Sequence, residues 1–141
     1  MEIKAYNALP SFAEEIRKKI FVEEQGFSEV LEFDENEDIA THLVGFIDSK
    51  PAATARFYFE ESKDAFLIGR IAVMKEFRTM GLGSEIVKAA EERIIKEGGK
   101  SIVIHAQLRV KAFYESIGYS PISGIDLEEG VEHIWMGKEI N

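Results

Sequence analysis

The chain has 141 residues, which is about the length of one domain with a single hydrophobic core, so we expect one domain over residues 1–141. It contains no cysteine, which excludes disulfides, thiolate metal ligands and a cysteine nucleophile. The net charge of -9 argues against nucleic acid or an anionic membrane as a partner, and no stretch reaches the roughly 18 apolar residues of a membrane span, so we expect a cytoplasmic protein.

The N-terminal region predicts a short strand, a helix and a long acidic connection. Met1 to Lys4 begins with a strand pattern. Ser11 and Glu14 form a capping-box pattern, and apolar residues recur every four positions up to residue 20, so a helix is expected over residues 11–24. Residues 25–38 are acidic and aperiodic, which predicts a loop or short helix over one face. Connections longer than about 12 residues are often binding loops or lids.

Three strands follow this acidic connection. Residues 39–48, 52–59 and 66–74 are rich in β-branched and aromatic residues, and turn-forming residues separate the first two runs. We expect three antiparallel strands. Arg56 and Arg70 are unusual residues within such runs, and each is expected either to face solvent or to enter a substrate cleft and bind a carboxylate.

A glycine-bearing turn lies between the third of these strands and the next helix. Its sequence is Arg78-Thr79-Met80-Gly81-Leu82-Gly83. The first turn of a helix has unpaired N–H groups and a partial positive charge, and glycines allow an anion to approach the backbone closely. The forked guanidinium of Arg78 suits a phosphate group. The turn therefore predicts a phosphorylated cofactor; the alternatives are a purely structural turn and a surface pair of Arg78 with Glu76 or Glu85.

The C-terminal half alternates helices and strands. Leu82, Ile86, Ala90 and Ile94 form one helical stripe that ends at two glycines, and residues 101–106 follow as an apolar strand. Residues 108–117 are expected to form a helix, and residues 119–125 and 131–140 a closing pair of strands. The strand–helix–strand crossover predicts that residues 67–74 and 101–106 are parallel within an otherwise antiparallel sheet.

Two separate motifs resemble the GNAT superfamily of N-acetyltransferases. The run Arg78 to Gly83 fits the family's acetyl-coenzyme A signature, Arg or Gln, two residues, Gly, one residue, Gly or Ala, and Ile71 to Phe77 is similar to the strand and lead-in before it. The segment Phe113-Tyr114-Glu115-Ser116-Ile117-Gly118-Tyr119 resembles the family's late helix and strand. Further segments resemble the small ElaA-like branch: Val22 to Gln25, Asp38 to His42, His105 to Gln107 and Gly130 to Met136.

The resemblance implies a fold and a cofactor site. The fold class would be α/β (α+β), a mixed, mostly antiparallel twisted sheet of six or seven strands with a central parallel pair and about four helices. Acetyl-coenzyme A would lay its pyrophosphate on the amides of residues 79–84 and its pantetheine along the strand that ends near Val73, whose amide would face the thioester oxygen. The implied cofactor-binding residues are Ile71, Val73, Arg78, Thr79, Met80, Gly81, Gly83, Ser84 and Gln107, the last standing where the family often has Asn.

Proton transfers need an acid and a base. Tyr114 is the expected acid, because a phenol of pKa about 10 can protonate a departing thiolate, although the pattern alone also fits a core tyrosine. For the base, the sequence leaves four side chains and water open, and Glu24 and His42 are carried forward as catalytic candidates. The other two are His105 and Glu132; each strand histidine also fits a hydrogen-bonded core residue and each glutamate a solvated one.

The expected function is therefore transfer of the acetyl group of acetyl-coenzyme A to a primary amine of a small molecule or peptide, by direct attack in a ternary complex. The alternative is a non-catalytic acyl-coenzyme A-binding or interaction module. A P-loop is excluded because no Gly-Lys-Ser/Thr follows the turn. The three histidines lack close ligand spacing, so no metal is expected, and exposed sheet edges suggest a homodimer.

Overall fold

Residues 1–140 are described by the computed structural model, and seven strands form one sheet. The spatial order is β1-β2-β3-β4-β5-β7-β6. All neighbouring strands are antiparallel except β4 and β5, which are parallel. The predicted mixed sheet with a central parallel pair is thus confirmed. The strands are β1 Glu2–Tyr6, β2 Thr41–Ile47, β3 Lys50–Glu60, β4 Ala65–Val73, β5 Ser101–Gln107, β6 Ser120–Glu128 and β7 Val131–Glu139.

Four α-helices flank the sheet, in agreement with the expected number. They are α1 Ser11–Arg17, α2 Glu29–Glu32, α3 Leu82–Lys96 and α4 Lys111–Ser116. A π-helical segment, Lys18–Glu24, continues α1, so the helical run has the predicted extent but changes its winding halfway. No helix within residues 1–140 is long and apolar enough to cross a membrane.

The predicted capping box at the start of α1 is wrong. Pro10 is the N-cap residue, and its carbonyl accepts the N–H of Glu14 at 3.1 Å. Ser11 therefore already lies inside the helix. Proline provides no capping side chain, so the helix starts from the fixed, extended backbone of Pro10 instead of a Ser11–Glu14 exchange.

Different helices cover the two faces of the sheet. On one face α3 buries the apolar stripe that includes Ile86 and Ile94, which belongs to the same core cluster as Leu43 of β2. On the other face Ile16 of α1 packs in a cluster with Val44, the next residue of β2. This follows from the alternation of side chains along a strand. Each such fully buried aliphatic side chain stabilises the fold by about 1.5–3 kcal/mol.

A β-bulge in β4 opens the centre of the sheet. Between two regular pairs, Arg70 and Ile71 of β4 oppose the single residue Ala55 of β3, and Arg70 adopts a left-handed φ of 50°. A bulge bends the strand that carries it. The parallel pairing of β4 with β5 is confined to Phe66 and Leu67 on the β4 side, after which the two strands separate. Their separation leaves a cleft at the C-terminal ends of both strands.

The acidic connection is fixed beside this cleft by buried ion pairs. Arg17, which is 1% exposed, donates to Glu32 at 2.9 Å and to both carboxylate oxygens of Glu37 at 2.6 and 2.9 Å. Arg56 of β3 donates to both oxygens of Asp34 at 2.7 and 3.0 Å. Burial raises the pKa of Glu32, whereas for Asp34 the bonds from Arg56 outweigh burial and lower the pKa.

These pairs explain why the acidic run is not a solvated loop. The run contains α2 and a 3-10 turn, Glu35–Asp38, which agrees with the expectation of a loop or short helix. Arg70 adds donations to the backbone carbonyl of Glu32 at 3.1 and 3.2 Å. Arg56 and Arg70 both line the cleft and bind carboxylates, as one of the two alternatives proposed, but these carboxylates belong to their own chain and not to a substrate.

Candidate active site

The space between the separated strands is a cleft of about 810 Å³. One wall is the run from Ile68 to Val73 of β4, and the other is the run from Ile104 to Gln107 of β5. Tyr114 and the ion-paired Arg56 and Arg70 also line it. Backbone of a strand whose neighbour has separated offers free N–H and C=O groups, so an extended ligand can pair with it there.

A second pocket of about 280 Å³ lies at the glycine turn. It is lined by Thr79, Gly81, Gly83 and Ser84, all predicted cofactor residues. Gly81 is the N-cap of α3 with a left-handed φ of 76°, and no side chain within residues 1–140 caps this helix start. The first amides of α3 are therefore available to an anion.

The two pockets adjoin at shared lining residues. Val73, Arg78, Gly83 and Phe113 line both the cleft and the turn pocket. A Cβ added to Gly83 would lie 3.4 Å from the ring of Phe113, in ordinary van der Waals contact, so only a side chain larger than alanine would narrow this junction. One long ligand with an anionic middle and an extended arm fits such a continuous surface.

Arg78 binds Glu24 and not Glu76 or Glu85, the two surface partners considered from the sequence. It donates to the two carboxylate oxygens of Glu24 at 2.6 and 2.7 Å, and its Nε donates to the carbonyl of Val73 at 3.2 Å. The bond from Arg78 is the main cause that lowers the pKa of Glu24. A lowered pKa makes a carboxylate a weaker base, which disfavours Glu24 in that role.

The backbone of Val73 is directed towards the cleft. The N–H of Met74 donates to the carbonyl of Ala52 on β3 at 2.8 Å. Successive residues of a strand direct their backbone groups to opposite edges, so the N–H and C=O of Val73 point away from β3. The bond from Arg78 to the Val73 carbonyl agrees with this direction.

Three remaining cofactor predictions have different surroundings. Ile71, which belongs to the bulge, lines the cleft. Gln107, at the end of β5, also lines it. The amide nitrogen of Gln107 donates to Gln25 at 2.8 Å, and its oxygen accepts from Arg109 at 3.1 Å. Met80 is 55% exposed and lines neither pocket, so only its backbone can serve a ligand in the turn.

Tyr114 lies on α4 and lines the cleft. It is 7% exposed, and its ring packs edge-on against Tyr119 at 6.2 Å between centroids. Burial raises the pKa of Tyr114 to about 12, with no hydrogen bond from residues 1–140 contributing. The phenol therefore stays protonated at neutral pH. Tyr114 is both a core tyrosine and a cleft residue, so the two readings of the sequence are compatible.

The other base candidates have different positions relative to the cleft. His42 is 1% exposed, its Nε2 donates to the carbonyl of Glu37 at 3.0 Å, and burial lowers its pKa. Neither His42 nor the exposed Glu132 lines the cleft. His105 does line it, and its Nε2 donates to Asp126 at 2.9 Å.

A group of cleft-lining side chains on β5, β6 and β7 was not predicted from the sequence. Because this group includes the exposed Glu128, we call its location the outer end of the cleft. One ligand atom from each of His105, Glu128 and His133 lies within 4.8 Å of the other two. The three residues come from β5, β6 and β7. Chain spacing did not reveal them, because the antiparallel pairing of three strands brings them together. The two-residue turn between β6 and β7 was the available signal, since it pairs Asp126 with His133.

Comparison with known proteins gives one family. The family described as Acetyltransferase (GNAT) domain matches residues 10–140. A candidate acetyltransferase of Bacillus subtilis (strain 168) is 37% identical over 89% of this chain and 86% of its own length. A candidate N-acetyltransferase of Lactobacillus plantarum has a crystal structure with a TM-score of 0.87 and 30% identity, covering 99% of both chains.

Two further structures share the fold. Escherichia coli ElaA has a TM-score of 0.84 at 24% identity, covering 98% of this chain and 99% of its own. A GNAT family acetyltransferase from Elizabethkingia anophelis, determined with acetyl-CoA bound, has a TM-score of 0.74 at 15% identity, covering 99% of this chain and 97% of its own. The arrangement of strands and helices is thus one that is known to carry acetyl-CoA in another protein.

Proposed function

The chain belongs to the GNAT acetyltransferase family, and from this premise we propose that it transfers the acetyl group of acetyl-CoA to a primary amine of a small molecule or peptide. The observation that carries the proposal is the continuity of the turn pocket with the cleft through Val73, Arg78 and Gly83. The pyrophosphate binds at the start of α3, and the pantetheine extends from there along β4. The acetyl-CoA-bound neighbour supports this choice of cofactor.

Cofactor binding requires Arg78 to change its partner. In the structure its guanidinium is occupied by Glu24, and both side chains are more than one-third exposed. An exposed ion pair contributes only about 0–1 kcal/mol, so a phosphate group can displace the carboxylate at small cost. Arg78 then binds phosphate, and the Glu24 carboxylate returns to solvent.

The chemistry is direct attack of a neutral amine on the thioester carbonyl. A carbon–nitrogen bond forms, and the carbonyl oxygen gains negative charge, which the N–H of Val73 stabilises. The carbon–sulfur bond then breaks, and the coenzyme A thiolate takes the proton of the Tyr114 hydroxyl. Burial raises the pKa of Tyr114 to about 12, so its hydroxyl is protonated at neutral pH but is a weaker acid than a free phenol; it gives up its proton only as negative charge forms on the sulfur, and it then regains a proton from solvent.

The amine must lose a proton before or during attack. Glu24, which returns to solvent once Arg78 binds phosphate, does not line the cleft, and neither does the buried His42 or the exposed Glu132. His105 does line the cleft, but its Nε2 already donates to Asp126. We therefore assign the proton to water in the open cleft. The carboxylates of Glu60 and Glu129 also line the cleft and favour a cationic acceptor over an anionic one.

The experiment that tests the proposal measures thiol release from acetyl-CoA over a panel of amines. An acetyltransferase releases coenzyme A with at least one amine faster than without any amine. The competing proposal, a non-catalytic acyl-coenzyme A-binding module, is favoured by the same turn pocket. It predicts saturable binding of acetyl-CoA with no amine-dependent release on any member of the panel. A cytoplasmic location and a homodimer stay predictions.

A further inference from the structure

We propose that His105, Glu128 and His133 form a binding site for a divalent transition-metal ion of the zinc class, at the outer end of the cleft. The alternation of side chains along each strand explains why they share a face. His105 pairs with Trp135 across β5 and β7, so it lies diagonally beside His133, two residues earlier on β7. On β6, Asp126 pairs with His133, and Glu128 follows two positions later.

In each histidine one ring nitrogen donates a hydrogen bond to a neighbouring oxygen, and this determines which nitrogen has a lone pair for a metal ion. The Nδ1 of His133 lies 2.8 Å from the carbonyl of Val131, and because a carbonyl only accepts, this nitrogen carries the hydrogen. The neutral ring then has a lone pair at Nε2. The Nε2 of His105 lies 2.9 Å from Asp126, so a hydrogen there leaves a lone pair at Nδ1.

Both lone pairs face the same carboxylate oxygen. The Oε2 of Glu128 is 3.4 Å from the Nε2 of His133 and 3.8 Å from the Nδ1 of His105. Two lone pairs and a carboxylate oxygen without a hydrogen between them repel one another, and a cation relieves this repulsion. The His133 side chain is 96% buried, since 4% is exposed, so water competes poorly for its nitrogen.

The donor set and its surroundings favour zinc over calcium or magnesium. Two imidazoles and one carboxylate are typical of catalytic zinc sites, which keep one open position. Ligand atoms about 2.0–2.1 Å from a tetrahedral ion lie about 3.3 Å apart. The two distances to the Glu128 oxygen are 3.4 Å and 3.8 Å, and the two histidine nitrogens lie within 4.8 Å of each other. The exposed Glu128 side chain can make the remaining adjustment.

The hydrogen-bond acceptors of His105 and His133 are of the kind that metal-bound histidines usually have. Ligating histidines almost always donate their second N–H to a carboxylate or a backbone carbonyl, which fixes ring orientation. His105 has Asp126 in this role and His133 has the carbonyl of Val131. All three ligands line the cleft, so the open position faces it.

The test is titration of the full chain, prepared without a histidine tag, with Zn²⁺ by calorimetry and with Co²⁺ by visible absorption. We expect one saturable site and the strong visible bands of four-coordinate Co²⁺. Glu128→Gln should weaken binding at least tenfold, and Asp126→Asn should weaken it about 10- to 100-fold. Glu132→Gln is the matched control, because this exposed neighbour of His133 lies on the other face of β7, and it should bind as the wild type does.

His133→Ala should abolish binding, with circular dichroism used to check that this buried substitution leaves the fold intact. Glu128→Gln keeps the test independent of that variant, since Glu128 is half exposed. Absence of saturable binding in the wild type would overturn the proposal. So would binding that Glu128→Gln leaves unchanged, because the ion would then lie elsewhere. Neither readout depends on acetyl transfer.

Discussion

Tyr114 and Tyr119 are two buried tyrosines with packed rings, and their hydroxyl groups have opposite roles in the proposed function. Tyr114 lines the cleft, and no hydrogen bond from residues 1–140 contributes to its pKa. Tyr119 does not line the cleft, and its hydroxyl donates to Glu91 at 2.7 Å. Replacing each by phenylalanine removes one oxygen atom and keeps the ring. The pair therefore separates a catalytic hydroxyl from a structural one.

For Tyr114→Phe we expect kcat to fall about 100- to 10,000-fold, the usual contribution of a general acid. This corresponds to about 3–5 kcal/mol of activation free energy. The free energy of unfolding should change by less than about 0.5 kcal/mol, since the hydroxyl has no hydrogen-bond partner within residues 1–140 to lose. For Tyr119→Phe we expect the reverse, a loss of about 1.5–3 kcal/mol of stability through the lost bond to a carboxylate, with kcat nearly unchanged.

Steady-state thiol release and urea unfolding measure the two quantities on the same preparations. The pH profile adds a third test. The acid must be protonated to act, and burial raises the pKa of Tyr114 to about 12, so this group should cause no alkaline fall in kcat up to about pH 11. Unchanged kcat in Tyr114→Phe would refute the assignment. An equal loss of kcat in both variants would instead indicate a packing effect.

Three further predictions concern the ion pairs and the glycine turn. Glu24→Gln frees Arg78 for phosphate, so KM for acetyl-CoA should fall about two- to fivefold with kcat retained, whereas a large fall in kcat would restore Glu24 as the base. Gly83→Val adds a branched side chain at the junction of the pockets, where the family signature has only Gly or Ala, so isothermal titration should show coenzyme A binding weakened about tenfold or more. Gly124→Val is the control, because open space surrounds this glycine, and it should bind normally; equal affinity in both variants would contradict the assigned pocket. Arg17→Met leaves the buried carboxylates of Glu32 and Glu37 without this partner. Urea unfolding should show a loss of stability of about 3 kcal/mol, and no more, because Arg56 and Arg70 still contact these carboxylates. A loss below about 1 kcal/mol would show that the ion pairs of Arg17 do not stabilise the fold.

Features encoded over short stretches of sequence were predicted well. The order of helices and strands along the chain and the parallel pair follow from period-two and period-3.6 patterns and from the crossover through α3. The turn pocket is lined by the glycines that the strand-to-helix context singled out. Such features depend on backbone conformation and burial, which neighbouring residues determine locally.

Features that depend on long-range partners were not predicted. The pairing of Arg78 with Glu24 joins residues 54 positions apart, and the carboxylates that bind Arg17 and Arg56 lie 15 to 22 positions away, in the acidic connection. The histidine group at the outer end of the cleft likewise requires the register of three strands. Charge patterns identify such residues as polar but leave their partners undetermined, because a solvated face and a buried ion pair have the same composition.

The most direct test of the proposed reaction is product analysis by mass spectrometry and NMR, after incubation with acetyl-CoA and an amine that promotes thiol release. Direct attack predicts one acetyl group on the amine nitrogen for each coenzyme A released, with no acetyl group retained on the protein. Acetyl-CoA that is bound but unchanged, or hydrolysed while the amine remains unmodified, would contradict transfer by direct attack.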